Sequence, residues 1–313
     1  MSSSPIAVSG SIAYDYLSRY DQPFQDVLLA DKLHELSVCF VVSEREKHFG
    51  GTAGNITYNL SLLEQPSIIF AGVGHDFGEY EKHLKKRRVD MSPLRVSKDI
   101  STASATIISD PNGNQISEFF PGAMGRGLKP YTKKFSESGL LIISPDSPTW
   151  MLDYAAQARH LGLPYFFDPG QGIPGFSGED LVSAVDGSEG LFLNDYEFEL
   201  FKAKTKLDVE EILKLTRVLI ITHGENGSMI YSGRETLEIP VVKTSRAVNP
   251  TGCGDAYRAA FLLGYLEEYG LETCGQMGAL LASYCVEYIG TQHHETNWRK
   301  FSKDYAKTFG SEL

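Results

Sequence analysis

Short apolar runs alternate with longer amphipathic stretches through most of this 313-residue chain. Ile6-Ala7-Val8, Ser67 to Val73, Leu140 to Ser144, Tyr165 to Phe167, Leu191 to Leu193 and Val218 to Thr222 read as buried strands. Between several of them, Asn55 to Glu64, Tyr80 to Arg87, Trp150 to Leu161 and Asp195 to Lys202 carry helical spacing. This alternation predicts an α/β fold, a mostly parallel sheet with helices on both faces. Ligands of such sheets gather at the carboxyl ends of the strands, so motifs directly after a strand weigh more.

Residues 14–48, with the apolar run Leu36 to Val42, and residues 104–120, with a turn at Asp110-Pro111-Asn112-Gly113, break the pattern. Neither is followed by a crossover helix, so both are expected in a small β-sheet outside the main one. At the ligand end, such a sheet acts as a lid. After Thr251 the chain is expected to be mainly helical, over Ala256 to Glu268, Gln276 to Tyr288 and Trp298 to Lys307. With no Pro/Gly/Ser-rich linker and no repeat, residues 1–313 are expected to form one domain, its lid built from about 14–48 and 104–122.

Composition narrows the classes. A hydrophobic fraction of 42% and a charged fraction of 22% are ordinary for a globular chain. The formal charge of −11 argues against a nucleic-acid groove, and the one basic run, Lys82 to Arg88, fits the exposed face of a helix. The 4 cysteines form no CxxC pair, which argues against structural zinc and fits a reducing compartment. The N-terminus lacks a basic n-region, and no apolar run approaches the ~20 residues of a membrane span. A cytoplasmic protein with no membrane partner is expected. The pair His293-His294 shows no zinc spacing and is expected on the surface.

Candidate chemistry concentrates in Asn249-Pro250-Thr251-Gly252-Cys253-Gly254-Asp255-Ala256-Tyr257, which opens an apolar helix. Glycines around one residue leave N–H groups bare at a helix N-terminus, and these with the helix dipole favour an anion. The same positive potential should keep Asp255 ionised. One turn thus offers an anion hole at Gly252, Cys253 and Gly254, and a carboxylate to take a proton from an attacking hydroxyl. Taken alone, Gly-x-Gly-Asp is as often a plain helix start with an acidic first turn.

This segment resembles the helix-opening signature of the ribokinase-like kinases, which include ribokinase, fructokinase and adenosine kinase. The resemblance implies that Asp255 is the catalytic base and Gly252, Cys253 and Gly254 the anion hole. Asn249 stands where the family usually has an aspartate that helps hold a potassium-like ion, which puts a monovalent-cation site in question. Upstream, Gly50-Gly51-Thr52-Ala53-Gly54-Asn55 resembles the family's sugar-contacting motif, with Gly50 and Gly51 letting a ligand touch backbone and Asn55 offering donor and acceptor to hydroxyls. Gly10-Ser11-Ile12-Ala13-Tyr14-Asp15 follows the first strand, and the family places there an aspartate that grips a cis-diol, hence Asp15, with Ser11 beside it.

On the nucleotide side, Asn194-Asp195-Tyr196-Glu197 resembles the family's Asn-x-x-Glu, implying Mg²⁺ held by Asn194 and Glu197 largely through water; a helix N-cap is the simpler reading. Thr222, Gly224 and Gly227 resemble an ATP-contacting Thr-x-Gly-x-x-Gly, which otherwise reads as a hairpin turn, and Gly290-Thr291-Gln292 matches a late loop near the nucleotide. No P-loop or protein-kinase signature is present, and Gly72-Val73-Gly74 lacks dinucleotide-binding spacing.

Phe119-Phe120-Pro121-Gly122-Ala123-Met124 resembles the lid segment of bacterial adenosine kinases, where an aromatic stacks on the purine. Leu33-His34-Glu35-Leu36-Ser37 and the other words above resemble that same group, and the likeness spans nearly the whole chain. It implies Phe119 as the stacking ring and Gln171 as a base-edge partner, although Ser104-Ala105 offers no second ring. The expected reaction is ATP-dependent phosphorylation of a nucleoside 5′-hydroxyl, adenosine to AMP in purine salvage. A free-sugar kinase for ribose or fructose, and a silent binding protein of the same fold, are the alternatives. Exposed lid edges would allow a homodimer.

Overall fold

The computed structural model describes residues 4–28, 30–35, 37–126 and 132–313. In chain order the elements are β1 (Ile6–Ser9), β2 (Ala13–Arg19), β3 (Glu44–Gly50), α1 (Thr52–Leu62), β4 (Ser67–Phe70), β5 (Gly72–Val73), α2 (Gly78–Lys86), β6 (Arg95–Val96), β7 (Ala103–Ser109), β8 (Gln115–Phe120), α3 (Thr132–Ser136), β9 (Leu140–Ile143), α4 (Pro148–Leu161), β10 (Tyr165–Phe167), α5 (Gly178–Val185), β11 (Ser188–Asn194), α6 (Asp195–Thr205), α7 (Val209–Ile212), β12 (Thr216–Thr222), β13 (Ser228–Ser232), β14 (Glu235–Ile239), α8 (Cys253–Leu266), α9 (Leu271–Cys285) and α10 (Trp298–Phe309). Among the described residues no helix is long and apolar enough to cross a membrane.

The main sheet has the order β14-β13-β12-β11-β10-β9-β1-β4, parallel from β4 to β12 and closed by the antiparallel β12–β13–β14 hairpins. Its strands are apolar on consecutive positions because both faces are covered. Val8, Ile69, Ile142, Phe166, Phe192 and Ile220 pack with α1, α8, α9 and α10 on one side. Ala7, Phe70, Leu141, Phe167, Leu191 and Leu219 pack with α4, α5 and α6 on the other. The expected three layers are therefore present, helices over both faces of a mostly parallel sheet.

A second sheet has the order β3-β2-β7-β8 and joins the segments expected to form the lid. One strand was misplaced. The run after Leu36, which itself lies outside the described residues, forms no strand over 37–42, and its Phe40 instead packs edge-on against Tyr20 and Phe24. The strand is Glu44–Gly50, whose polar sequence EREKHFG carries no apolar alternation and is mostly exposed. Pairing with β2 over its whole length makes it a strand. Ser67 to Val73 also divides, β4 joining the main sheet while β5 pairs with β6. Gly72 marks the break, since a Cβ there would lie 2.3 Å from the Ala123 carbonyl oxygen.

Candidate active site

The carboxyl ends of β1, β9, β10, β11 and β12 deliver Ser11, Ser144, Asp168, Asn194 and Thr222 to one edge of the main sheet. Helices α1 and α8 start at that edge and pack on each other. Asn55 in the first turn of α1 donates from Nδ2 to Oδ2 of Asp255 in the first turn of α8, at 2.8 Å. The two motifs, 200 residues apart, thus form one site.

Gly252 caps α8 with φ 84°, a left-handed conformation that glycine adopts freely, and its bare α-carbon faces Thr291, where a Cβ would sit 2.8 Å away. The hole differs in one member from expectation. The Cys253 N–H donates to the Pro250 carbonyl at 3.1 Å and is spent, whereas among the described residues the N–H groups of Gly252, Gly254 and Asp255 have no backbone acceptor. The free donors of this helix start are therefore those three.

Asp255 was expected to be held ionised; instead its pKa is pushed up to about 7. Burial dominates, opposed by the Arg258 guanidinium and the Asn55 hydrogen bond and aided by the charges of Asp168 and Asp15. Desolvation outweighs the helix dipole. A carboxylate poised near neutrality is a stronger base than an ordinary one and is about half ionised at pH 7.

Arg258, one turn along α8, went unnoticed in the sequence. It is 7% exposed and holds Asp168 two-fold, Nη2 donating to Oδ1 at 3.0 Å and Nε lying 2.5 Å from Oδ2. Burial works against its charge, but Asp168, Glu197 and Asp255 together hold it protonated. A Cβ on Gly254 would lie 2.7 Å from Arg258 Nη1, so this glycine is small in order to admit the guanidinium beneath the anion turn. A lone charge inside the apolar stretch Ala256 to Leu266 was the available signal.

Asp15 lies within β2, its carboxylate against Gly50, where a Cβ would sit 2.2 Å from Oδ2. Burial raises its pKa to about 6, and the neighbouring His48 opposes this. Gly51, φ 83°, would place a Cβ 2.6 Å from the Ser11 carbonyl oxygen and from the Ala13 nitrogen. Both glycines make room for the protein's own Asp15 and residues 11–13. Ser11 Oγ accepts from Thr52 N at 3.1 Å, and Thr52 Oγ1 meets Ser144 Oγ at 3.0 Å, tying β1, α1 and β9 together.

Asn55 also departs from expectation. Its Oδ1 accepts from Thr291 Oγ1 at 2.7 Å and from Gln292 Nε2 at 2.9 Å, so its acceptor is occupied. The loop 290–292, expected at the nucleotide, is thereby anchored to Asn55 and through it to Asp255, and Gly290 is buried against His48 and His293. His293 is exposed as expected, but His294 is fully buried and bonds Asn59 Oδ1 at 2.7 Å.

Farther along the edge, Asn194 and Glu197 form a capping box for α6, Asn194 Oδ1 accepting from Glu197 N at 2.8 Å and Glu197 Oε2 from Asn194 N at 2.9 Å. The simpler reading of this motif is correct for both side chains. Burial and the charge of Asp168 raise the Glu197 pKa, against Arg258. Among the described residues no cluster of three or more His, Cys, Asp or Glu could hold a metal. With Asn194 Oδ1 and Glu197 Oε2 committed, the pair fits an ion reached through water, not a directly ligated one. Thr222 pairs with Asn194 across β11–β12, and Gly224 and Gly227, with φ 56° and 89°, shape the β12–β13 hairpin. Asn249 Oδ1 accepts from Thr251 N at 2.9 Å, closing the turn before Gly252. Gln171 is exposed in a 3₁₀ turn after β10. Phe119 is 54% exposed on β8.

A buried carboxylate, a helix start with free N–H groups backed by a guanidinium, and a parallel-sheet edge lie together, an arrangement suited to phosphoryl transfer. The pfkB family carbohydrate kinase pattern matches residues 18–298. A nucleoside kinase of Methanocaldococcus jannaschii is 34% identical over 272 residues, covering 86% of this chain and 89% of that protein. A nucleoside kinase of Burkholderia thailandensis, solved with inosine, superposes with TM-score 0.86 at 30% identity, covering 98% of this chain and 99% of that one. An adenosine kinase of Saccharomyces cerevisiae is 24% identical over 315 residues, covering 90% of this chain and 92% of that protein. The chain belongs to the pfkB, or ribokinase-like, family and is an ATP-dependent kinase.

Proposed function

We propose that the protein transfers the γ-phosphoryl of ATP to the 5′-hydroxyl of a nucleoside, with adenosine, giving AMP, as the leading acceptor. One observation carries the choice of nucleoside over free sugar. Asp15 pairs with Ala105 on β7, and Ala105 with Phe119 on β8, so the three lie in one row across the small sheet. Directly paired residues share a face. Phe119 therefore stands on the Asp15 side, two strand spacings or roughly 10 Å away, as a base attached to a diol-anchored ribose requires. The relatives named above act on nucleosides, which supports the same reading.

In the proposed reaction Asp15 accepts hydrogen bonds from the ribose 2′- and 3′-hydroxyls, and the small sheet covers the sugar and excludes water. Asp255 takes the proton of the attacking hydroxyl. The N–H groups of Gly252, Gly254 and Asp255, with the charge of Arg258 behind them, stabilise the moving phosphoryl. Mg²⁺ bound with ATP would neutralise phosphate charge, with Asn194 and Glu197 orienting its waters, and Thr222, Gly224 and Gly227 would flank the nucleotide. β8 is an outer strand of the small sheet with Ile116 and Phe120 exposed, which supports a homodimer through the lid.

Phe119→Ala should weaken adenosine binding about 10–100-fold by titration, since stacking a base on an aromatic ring contributes roughly 1–3 kcal/mol. Unchanged affinity would remove the stacking assignment.

A further inference from the structure

We propose that Gln292 is a positioning residue for the base: it fixes which end of the Asn55 amide faces Asp255, and so sets the pH at which Asp255 accepts a proton. The inference rests on the assignment of Asp255 as base. Donors and acceptors around Gln292 leave one consistent arrangement. Tyr80 OH donates to the Gly50 carbonyl at 2.9 Å, so it accepts from Gln292 Nε2 at 2.5 Å. The same Nε2 donates to Asn55 Oδ1 at 2.9 Å. Gln292 Oε1 then faces His83 Nε2 at 3.0 Å, which makes that ring nitrogen the donor.

With Oδ1 held in this way, Asn55 can present only N–H to Asp255, at 2.8 Å. The run His83, Gln292, Asn55, Asp255 is a row of hydrogen bonds that all donate toward the carboxylate. Thr291 holds the Asn55 amide less firmly than Gln292, because its single hydroxyl proton is divided between Asn55 Oδ1 at 2.7 Å and the Phe49 carbonyl at 2.9 Å. The row enters at Asp255 Oδ2 and leaves Oδ1 for the acceptor hydroxyl. His83 is held in place by stacking on Phe49 and Tyr58, with centroids 4.5 and 5.7 Å away. The other charged or titratable groups acting on Asp255 are Arg258 from α8, Asp168 after β10, and Asp15 from β2; Asp255 in turn acts on Tyr80 of α2, Cys253 and Cys285.

Gln292→Glu keeps the size but removes the donor. Asn55 must then turn its amide nitrogen toward residue 292 and its oxygen toward Asp255, an arrangement that only protonated Asp255 satisfies. The test is the pH dependence of kcat/KM for the nucleoside with saturating Mg-ATP. The wild type should lose activity as pH falls through about 7, with Asp255 itself titrating. In Gln292→Glu that limb should move up by about one unit or more, with activity recovered at alkaline pH. Gln292→Met, which only cuts the row, should move it the same way by less and serves if the Glu variant does not fold. An equal loss at every pH with the limb unmoved would overturn the proposal and leave Asp255 as the base. Near-normal turnover by Asp255→Asn would remove the base assignment and this inference with it.

Discussion

Asp255→Asn should lower kcat by ~10²–10⁴ while leaving nucleoside affinity nearly unchanged, because a general base acts in the transition state and contributes little to ground-state binding. The same substitution should raise stability. The folded pKa of Asp255, about 7, lies above the usual carboxylate value, so between the two the folded state binds more protons than the unfolded. Its stability contribution is therefore greatest at acid pH and is lost as pH rises from about 4 through about 7. The stability advantage of Asp255→Asn in denaturant unfolding should grow over that window and level off above it, reaching on the order of 2–4 kcal/mol. An inactive variant that melts lower than wild type at pH 8 would show that burial is not what raises this group.

Arg258→Met should have the largest effect on stability. It strands the buried Asp168 carboxylate without its two-fold partner and leaves Glu197 and Asp255 without a countercharge. Breaking a buried pair on one side costs about 3–5 kcal/mol, or a melting temperature lower by roughly 5–15 °C. Adding Asp168→Asn should restore part of the stability, since the carboxylate in direct contact with the lost guanidinium is then neutral, but not the turnover, since the cation beneath the helix start is still missing. A single variant as stable as wild type would show that the pair is solvated and contributes little.

What could be read in advance was what is local. The 249–257 segment carries glycines and a carboxylate within one helix start, and the structure forms that helix start with Asp255 in its first turn, beside Asn55. The alternation of apolar runs and helical spacing gave the layers, because a sheet covered on both faces leaves continuous apolar strands. What failed depends on distant partners. β3 is a strand only because β2 lies alongside it. The role of Asn55 is decided by Thr291 and Gln292, more than 230 residues away, so its spacing to Gly50 and Gly51 carried no trace of it. The ionisation of Asp255 was misjudged because a helix start is visible in sequence whereas the burial around it is not. Arg258 was visible, as the one charge in the apolar stretch Ala256 to Leu266, but its meaning required Asp168 from the end of β10.

The most direct test of the central claim is ATP consumption by the purified protein with Mg²⁺, comparing adenosine, inosine, guanosine, cytidine, ribose and fructose. Turnover with nucleosides, adenosine foremost, should exceed that with either free sugar by at least about tenfold, the margin that stacking on Phe119 provides. Equal or greater turnover with ribose or fructose would contradict the nucleoside assignment, and no consumption with any of the six would contradict the proposed reaction.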